Sequence, residues 1–274
     1  MPVIDFHLHP LKYESYQPGA KGYLESVIGE DMEGYIARMA TPEAVVAMLE
    51  ESGVDYAVVL AELSPITTGM MSNDGVAEFC QGSERLIPFA NINPYLVASP
   101  AEELERCVKG LGSRGLKLYP TYQHFYPNES ALYPLYAKAE ELWIPVMIHT
   151  GSSAFRGSRL KYGDPLFIDD LAVDFPNLVL IQVHSGRGFW YDRAFFLARL
   201  HENVYMEIAG LPPQKLLTYF PDLERNSAKI LFGSDWPGVK SIKANIEALR
   251  ALPIGEEAKR KILGENAARI VRVK

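Results

Sequence analysis

Residues 3–10 read VIDFHLHP, an apolar run that ends on two histidines one residue apart and is stopped by Pro10. Val3, Ile4 and Phe6 favour a strand over 3–8, and proline, which has no amide hydrogen, cannot continue a ladder. Side chains two apart on a strand share a face, so His7 and His9 project together from its C-terminal end. Two imidazoles aimed at one point suit a metal ion, but the pair alone is a weak signal, and two polar residues ending a strand is the commoner reading. The remaining ligands have to come from elsewhere in the chain.

Seven further short apolar runs follow: 54–60, 86–92, 114–118, 144–149, 178–184, 203–209 and 229–234. Helical patterns separate them. Ser99-Pro100-Ala101-Glu102 reads as a capping box with proline at the first helical position, Thr41-Pro42 and Asp164-Pro165 are similar starts, and 255–273 closes the chain as a helix. Strands alternating with helices pair in parallel, and eight of them close into a (β/α)8 TIM barrel, an α/β fold, at about 34 residues per unit. An open doubly wound sheet would place a glycine-rich phosphate turn after its first strand; His-Leu-His-Pro stands there instead. We therefore expect one barrel domain over 1–274, with an enlarged loop after the first strand at 11–40 serving as a lid or substrate loop.

Composition narrows the partners. At 274 residues and 48% hydrophobic the chain can bury a large core, and its net charge of −7 is spread without a basic block. Neither nucleic acid nor a membrane is expected as a partner. Cys80 and Cys107 fall in different predicted helices and form no metal or redox motif, which points to a reducing, cytoplasmic setting. There is no secretory leader pattern and no apolar run long enough to span a bilayer.

In a barrel the C-terminal strand ends converge on one site whatever their separation in sequence. Read in order they carry His7 and His9, Lys117, His149, His184 and Asp235, so four of the six histidines stand at strand ends. Alternation places Met147 with His149, Gln182 with His184, and Gly233 with Asp235 on the inner face, leaving Val146, Ile148, Val179, Ile181, Val183, Ile230 and Phe232 to pack outward. Three imidazoles and a carboxylate suit Zn, with Mn, Fe or Co as alternatives, so His7, His9, His149 and Asp235 are the expected ligands of one divalent metal ion. They leave a position for water, whose pKa such a site can lower to about 7. His184 is then free to act as acid, base or hydrogen-bond donor, and Lys117 to present a cation to a carboxylate or carbonyl.

Ile4-Asp5-Phe6-His7-Leu8-His9, GLKLYP at 115–120, IHTG at 148–151, HSG at 184–186 and GSDWP at 233–237 together resemble the amidohydrolase superfamily, specifically the amidohydrolase-2 branch of TIM-barrel metal-dependent enzymes, over nearly the whole chain. The resemblance implies hydrolases and non-oxidative decarboxylases similar to aminocarboxymuconate-semialdehyde and γ-resorcylate decarboxylase. It matches His7, His9 and His149 to the family's ligands, His184 to its catalytic histidine and Asp235 to its aspartate. Binuclear members of the wider superfamily carry a carboxylated lysine at the strand of Lys117, so a second metal through Lys117 and His184 stays open, with one ion preferred.

Two reactions fit these residues. In hydrolysis of a lactone, amide or ester, Asp235 takes the proton of water and His184 steadies the oxyanion; in decarboxylation of an aromatic or unsaturated acid, His184 protonates the carbon losing CO2. We place hydrolysis first, decarboxylation as the alternative and a non-catalytic metal-binding barrel last, since structural zinc sites are usually closed. Arg187 and Trp190 are expected to hold the substrate, against a packing role at a helix start. Asp5 and Glu207 fall inward, either as supports for ligands or as internal ion-pair partners, with the structural role preferred; His124 could reach the site from a loop, and His201 belongs to a surface helix. The expected partner is a small-molecule substrate, with a homodimer also open.

Overall fold

The computed structural model describes residues 1–29 and 31–273; Glu30, within the expected 11–40 loop, and Lys274 lie outside the described residues. The strands in chain order are β1 (Ile4–Leu8), β2 (Tyr56–Leu60), β3 (Glu62–Ser64), β4 (Gly69–Met71), β5 (Leu86–Asn91), β6 (Leu116–Leu118), β7 (Val146–Gly151), β8 (Leu180–Arg187), β9 (Val204–Glu207) and β10 (Ile230–Leu231). Eight form one sheet in the order β1-β2-β5-β6-β7-β8-β9-β10, every neighbouring pair parallel. The sheet closes on itself where Leu8 bridges Trp236 and the amides of Phe6 and His9 donate to the carbonyls of Phe232 and Trp236 at 3.0 and 2.8 Å. The expected TIM barrel forms, in sequential strand order.

Its interior is a packed core. Ile4, Phe6, Val58, Phe89, Met147, Ile181, Val183 and Leu231 meet inside, and Ala267 and Val271 of the helix Asn266–Val271 floor the barrel at the N-terminal ends of the strands. Outside, Val59, Leu116, Val146, Leu180 and Phe232 pack against helical residues such as Leu104, Leu135 and Leu171. Each large apolar side chain taken fully out of water contributes roughly 1.5–3 kcal/mol.

The face assignment for β8 has to be corrected. Ile181 and Val183 belong to the interior, and Gln182 points out, its Nε2 donating to the carbonyl of Ala194 at 2.9 Å on the covering helix Tyr191–Leu200. A barrel strand is buried on both faces, so an apolar alternation does not say which face is which. His184 nevertheless turns inward, because it and Ser185 take positive φ values of 61 and 49° that break the two-residue alternation.

Connections differ from expectation in four places. The 11–40 segment is not a loop but carries two helices, Pro18–Ile28 and Met32–Met39. Thr41 caps its helix by accepting from the Ala44 amide, whereas Ser99 makes no side-chain cap despite Pro100 at the first position, and the Asp164-Pro165 helix starts later, at Phe167. The closing helix contains a π turn over Lys261–Glu265. No helix among the described residues is long and apolar enough to cross a membrane.

Candidate functional site

At the C-terminal ends of the barrel strands the predicted residues come together. His7 and His9 leave β1 across a register irregularity between Asp5 and Leu8, and their Nε2 atoms lie 3.2 Å apart. Asp235, just past β10 with φ of 69°, places Oδ1 3.3 Å from His7 Nε2 and 3.8 Å from His9 Nε2. Its backbone amide is tied to the His7 carbonyl at 3.0 Å, so barrel closure itself sets this meeting. The His184 ring stands between its neighbours, 5.1 Å from His7 and 4.8 Å from His149 centroid to centroid.

Buried partners hold the imidazoles. Glu207, at the end of β9, accepts from the amides of Ala209 and His184 at 2.9 and 3.2 Å, and presents Oε2 3.5 Å from His7 Nδ1, the direction from which a carboxylate orients a ligand histidine. Gly233 leaves room for it: a Cβ there would lie 1.9 Å from Glu207 Oε1. Asp5 accepts from the amides of His7 and Ser234 at 3.1 and 2.8 Å, a structural brace between β1 and the β10 extension. His184 Nδ1 lies 2.8 Å from the Ala209 carbonyl. A carbonyl only accepts, so Nδ1 carries the hydrogen and Nε2 of the neutral ring carries a lone pair.

The electrostatics match a cation site. Burial holds His7, His149 and His184 well below the usual histidine range and His9 down at about 3, so all four imidazoles are neutral donors. Burial also pushes the carboxyls of Asp235 up to about 6 and Glu207 up to about 8. A divalent cation among these groups would offset that desolvation cost. His7, His9 and Asp235 bring their ligand atoms within 4.8 Å of one another, as do His7, His184 and Glu207. His149 stands outside both triplets, yet its buried Nε2 has no hydrogen-bond partner, as a ligand nitrogen awaiting a metal would. The donor set therefore fits a divalent metal.

A cavity of about 270 Å3 opens over these residues, walled by His9, His149, His184, Arg187 and Asp235 and by aromatic side chains. Lys117 does not reach it: fully buried, its Nζ has no hydrogen-bond partner and lies 4.9 Å over the Tyr119 ring, and burial draws its pKa down to about 8. Trp190 does not line it either; its amide bonds the Gly186 carbonyl at 2.9 Å at the start of the helix Tyr191–Leu200. Arg187 does, with Nη2 on the Ser152 carbonyl at 3.0 Å and Nη1 4.0 Å from Asp235. His124 is bound at 2.8 Å to the Gly157 carbonyl and His201 at 2.6 Å to Asp169, both away from the cavity.

Several wall residues were not singled out from sequence. Tyr119 and Tyr122 follow β6 directly, and their position after a barrel strand was the available signal. Tyr122 packs on His149 with centroids 4.8 Å apart, and Phe155 lies edge-on to both Tyr122 and Tyr23. Glu62 lines the cavity from the hairpin β3–β4, its carboxyl pushed up to about 7 by burial. The hairpin consists of two three-residue strands around SPITTG, too short for a periodic signal.

A parallel eight-stranded barrel whose mouth gathers four neutral histidines and an aspartate around a cavity belongs to the class of metal-dependent barrel enzymes. The chain is a member of the amidohydrolase family, whose sequence model, described as Amidohydrolase, matches residues 4–273. A curated relative, the γ-resorcylate decarboxylase of Rhizobium sp. (strain MTP-10005), is 25% identical over 251 residues, covering 74% of this chain and 75% of that one. Among solved structures, an uncharacterised TIM-barrel protein from Bordetella bronchiseptica superposes with a TM-score of 0.81 at 23% identity over 99% of both chains. The 5-carboxyvanillate decarboxylase of Novosphingobium aromaticivorans, complexed with manganese, gives 0.70 at 15% identity over 99% of this chain and 96% of that one. A protein described as a probable 2-pyrone-4,6-dicarboxylic acid hydrolase from Acinetobacter baumannii gives 0.68 at 17% over 100% of both. The chain is thus an enzyme; the curated relative is named a decarboxylase, and the structures that share its fold include one named a decarboxylase and one described as a probable hydrolase.

Proposed function

We propose that the protein is a metal-dependent hydrolase of a small planar carboxylate bearing a lactone, ester or amide. His7, His9, His149 and Asp235 would hold one divalent ion, zinc by the preference of three imidazoles and a carboxylate, with manganese as the alternative suggested by the Novosphingobium structure. When bound, such an ion polarises a carbonyl and lowers the pKa of water. The observation that carries hydrolysis is the hydrogen bond of His184 Nδ1 to the Ala209 carbonyl. It makes His184 Nε2 an acceptor, able to take the proton of an attacking water. The oxyanion-donor and carbon-protonating roles expected from sequence both require a hydrogen on that nitrogen. Arg187 supplies the cation for a substrate carboxylate, and the aromatic walls favour a flat ring.

Decarboxylation is the second reading, supported by the identity to the Rhizobium enzyme over three-quarters of both chains. Zinc- or manganese-loaded protein offered cyclic lactone carboxylates and aromatic acids separates the two, with ring opening followed by ultraviolet absorbance and CO2 by a coupled assay. We expect ring opening without CO2, lost at least 100-fold in His184→Asn with metal content unchanged. Release of CO2 from an aromatic acid would overturn hydrolysis, and loss of metal in His184→Asn would make His184 a ligand. The free, buried Cys80 and Cys107 support a reducing, cytoplasmic setting. Exposed Phe196 and Leu200 beside Leu166 support a homodimer, to be read by analytical ultracentrifugation.

A further inference from the structure

The hairpin β3–β4 is fastened over the cavity with more care than a surface turn requires. Two buried side chains grip Leu63 from below: Asn91 Oδ1 accepts its amide at 2.7 Å, and Gln123 Nε2 donates to its carbonyl at 3.1 Å. Asn93 Nδ2 donates to the same carbonyl at 2.7 Å. Asn91 is held in turn by Asn73, which exchanges two hydrogen bonds with its backbone at 2.8 and 3.0 Å, and by the Lys117 carbonyl at 2.6 Å. From the other side Tyr16 pairs with Gly69, and the Gln17 amide donates to the Thr68 carbonyl at 2.8 Å. A buried, satisfied amide network of this kind fixes one geometry.

What this scaffold fixes is Glu62. Thr68, across the hairpin, donates its hydroxyl to Glu62 Oε1, so that oxygen is already an acceptor. Oε2 is 3.9 Å from His9 Nδ1, beyond hydrogen-bond reach, and the side chain lines the cavity. Among the described residues lining this cavity, Arg187 is the one arginine or lysine, while Glu62 and Asp235 are the carboxylates. Asp235 belongs to the metal group; Glu62 does not fall in either triplet of ligand atoms.

We propose that Glu62 is a specificity-determining residue that accepts a hydrogen bond from a hydroxyl or amine on the substrate and excludes substrates with a second carboxylate. The substrate class is then a planar monocarboxylate carrying a hydrogen-bond donor, its carboxylate at Arg187. This rests on the proposed function only in taking a planar carboxylate as the occupant of the cavity. A site built to bond a donor rejects analogues lacking it by large factors, because its acceptor is left unpaired, and a second carboxylate finds no arginine or lysine, since Arg187 is the one such residue among the described residues lining the cavity.

The test uses binding, not turnover. Zinc-loaded protein is titrated calorimetrically with benzoate, the three hydroxybenzoates and the three benzenedicarboxylates. We expect the best hydroxybenzoate to bind at least tenfold more tightly than benzoate, and no dicarboxylate to bind more tightly than benzoate. Glu62→Met, which removes the acceptor at similar length, should bring the hydroxyl preference within threefold and admit a dicarboxylate, with zinc content unchanged. Thr68→Val, which frees the carboxylate without removing it, should give an intermediate preference and serves if Glu62→Met does not fold. A wild type that binds benzoate and hydroxybenzoates alike, or a dicarboxylate best, overturns the assignment while leaving hydrolysis standing. Absence of binding by every acid overturns both it and the planar-carboxylate reading.

Discussion

Gly233→Ala probes the junction on which the site depends. The added Cβ would lie 1.9 Å from Glu207 Oε1, 2.9 Å from His7 Cβ and 3.0 Å from Glu207 Cδ. A carboxylate at the end of a mobile side chain could swing away, but this one is fully buried and held by the amides of Ala209 and His184. Overpacking of a filled interior costs about 1–3 kcal/mol. Moving Glu207 also leaves the Ala209 amide without its acceptor, for roughly another 1–3 kcal/mol. The expected loss is therefore about 2–5 kcal/mol, which at a urea slope near 3 kcal/mol/M lowers the unfolding midpoint by about 1 M. Because His7 is pressed from the same side, zinc stoichiometry should fall in the variant at pH 7. The measurements are urea unfolding followed by tryptophan fluorescence and metal analysis of the purified protein. A variant within 1 kcal/mol of wild type that also retains its zinc would show that Glu207 and His7 are not packed against residue 233 as described.

Other substitutions test other parts. Gly22→Ala, at an exposed position in the helix Pro18–Ile28 where nothing lies within 4 Å of the new Cβ, should stabilise by about 0.5–1 kcal/mol, seen as a higher thermal midpoint. Arg187→Met should raise KM at least tenfold for a carboxylate substrate while leaving zinc content unchanged, as steady-state kinetics and metal analysis would read. Burial pushes the thiols of Cys80 and Cys107 up to about 12, so neither should react with a disulfide reagent at pH 8 until the protein is unfolded. Since both pKa values are raised above the unfolded value near 8.5, their contribution is complete below that pH and is lost as pH climbs toward 12; unfolding at pH 7, 9 and 10.5, compared with a Cys80→Ala/Cys107→Ala variant, isolates it.

The barrel was legible because its evidence is repetitive. Eight apolar runs at barrel spacing leave few alternatives, and boundaries that moved by a few residues, as for β8 and β10, did not alter the order of pairing. The helices within 11–40 are not legible in sequence because they are weakly patterned: Pro18–Ile28 buries only Ala20 and Leu24, and Met32–Met39 buries none. The hairpin β3–β4 was missed for the opposite reason, since its position is set by Asn91, Asn93 and Gln123, residues distant in sequence that carry no local signal.

The site shows where alternation stops being a guide. His184, Ser185 and Asp235 all adopt positive φ, and β1 changes register between Asp5 and Leu8, so, while His149 stays in the β7 ladder, His7, His184 and Asp235 sit where the backbone leaves the regular extended form. For residues with a Cβ that conformation is unfavourable and persists only where surrounding contacts over-determine it. Here they do: the His184 amide is held by Glu207, the Ser185 hydroxyl by the Glu207 carbonyl at 2.8 Å, and the Asp235 amide by the His7 carbonyl. His184 was placed inward by an alternation that assigned Ile181 and Val183 to the wrong face, and the left-handed turn restored the inward direction. Strand parity can thus name the strand that delivers a group to a barrel mouth, but the direction of the last side chain is decided by the irregular turn that follows, and in this protein Glu207 holds that turn in place.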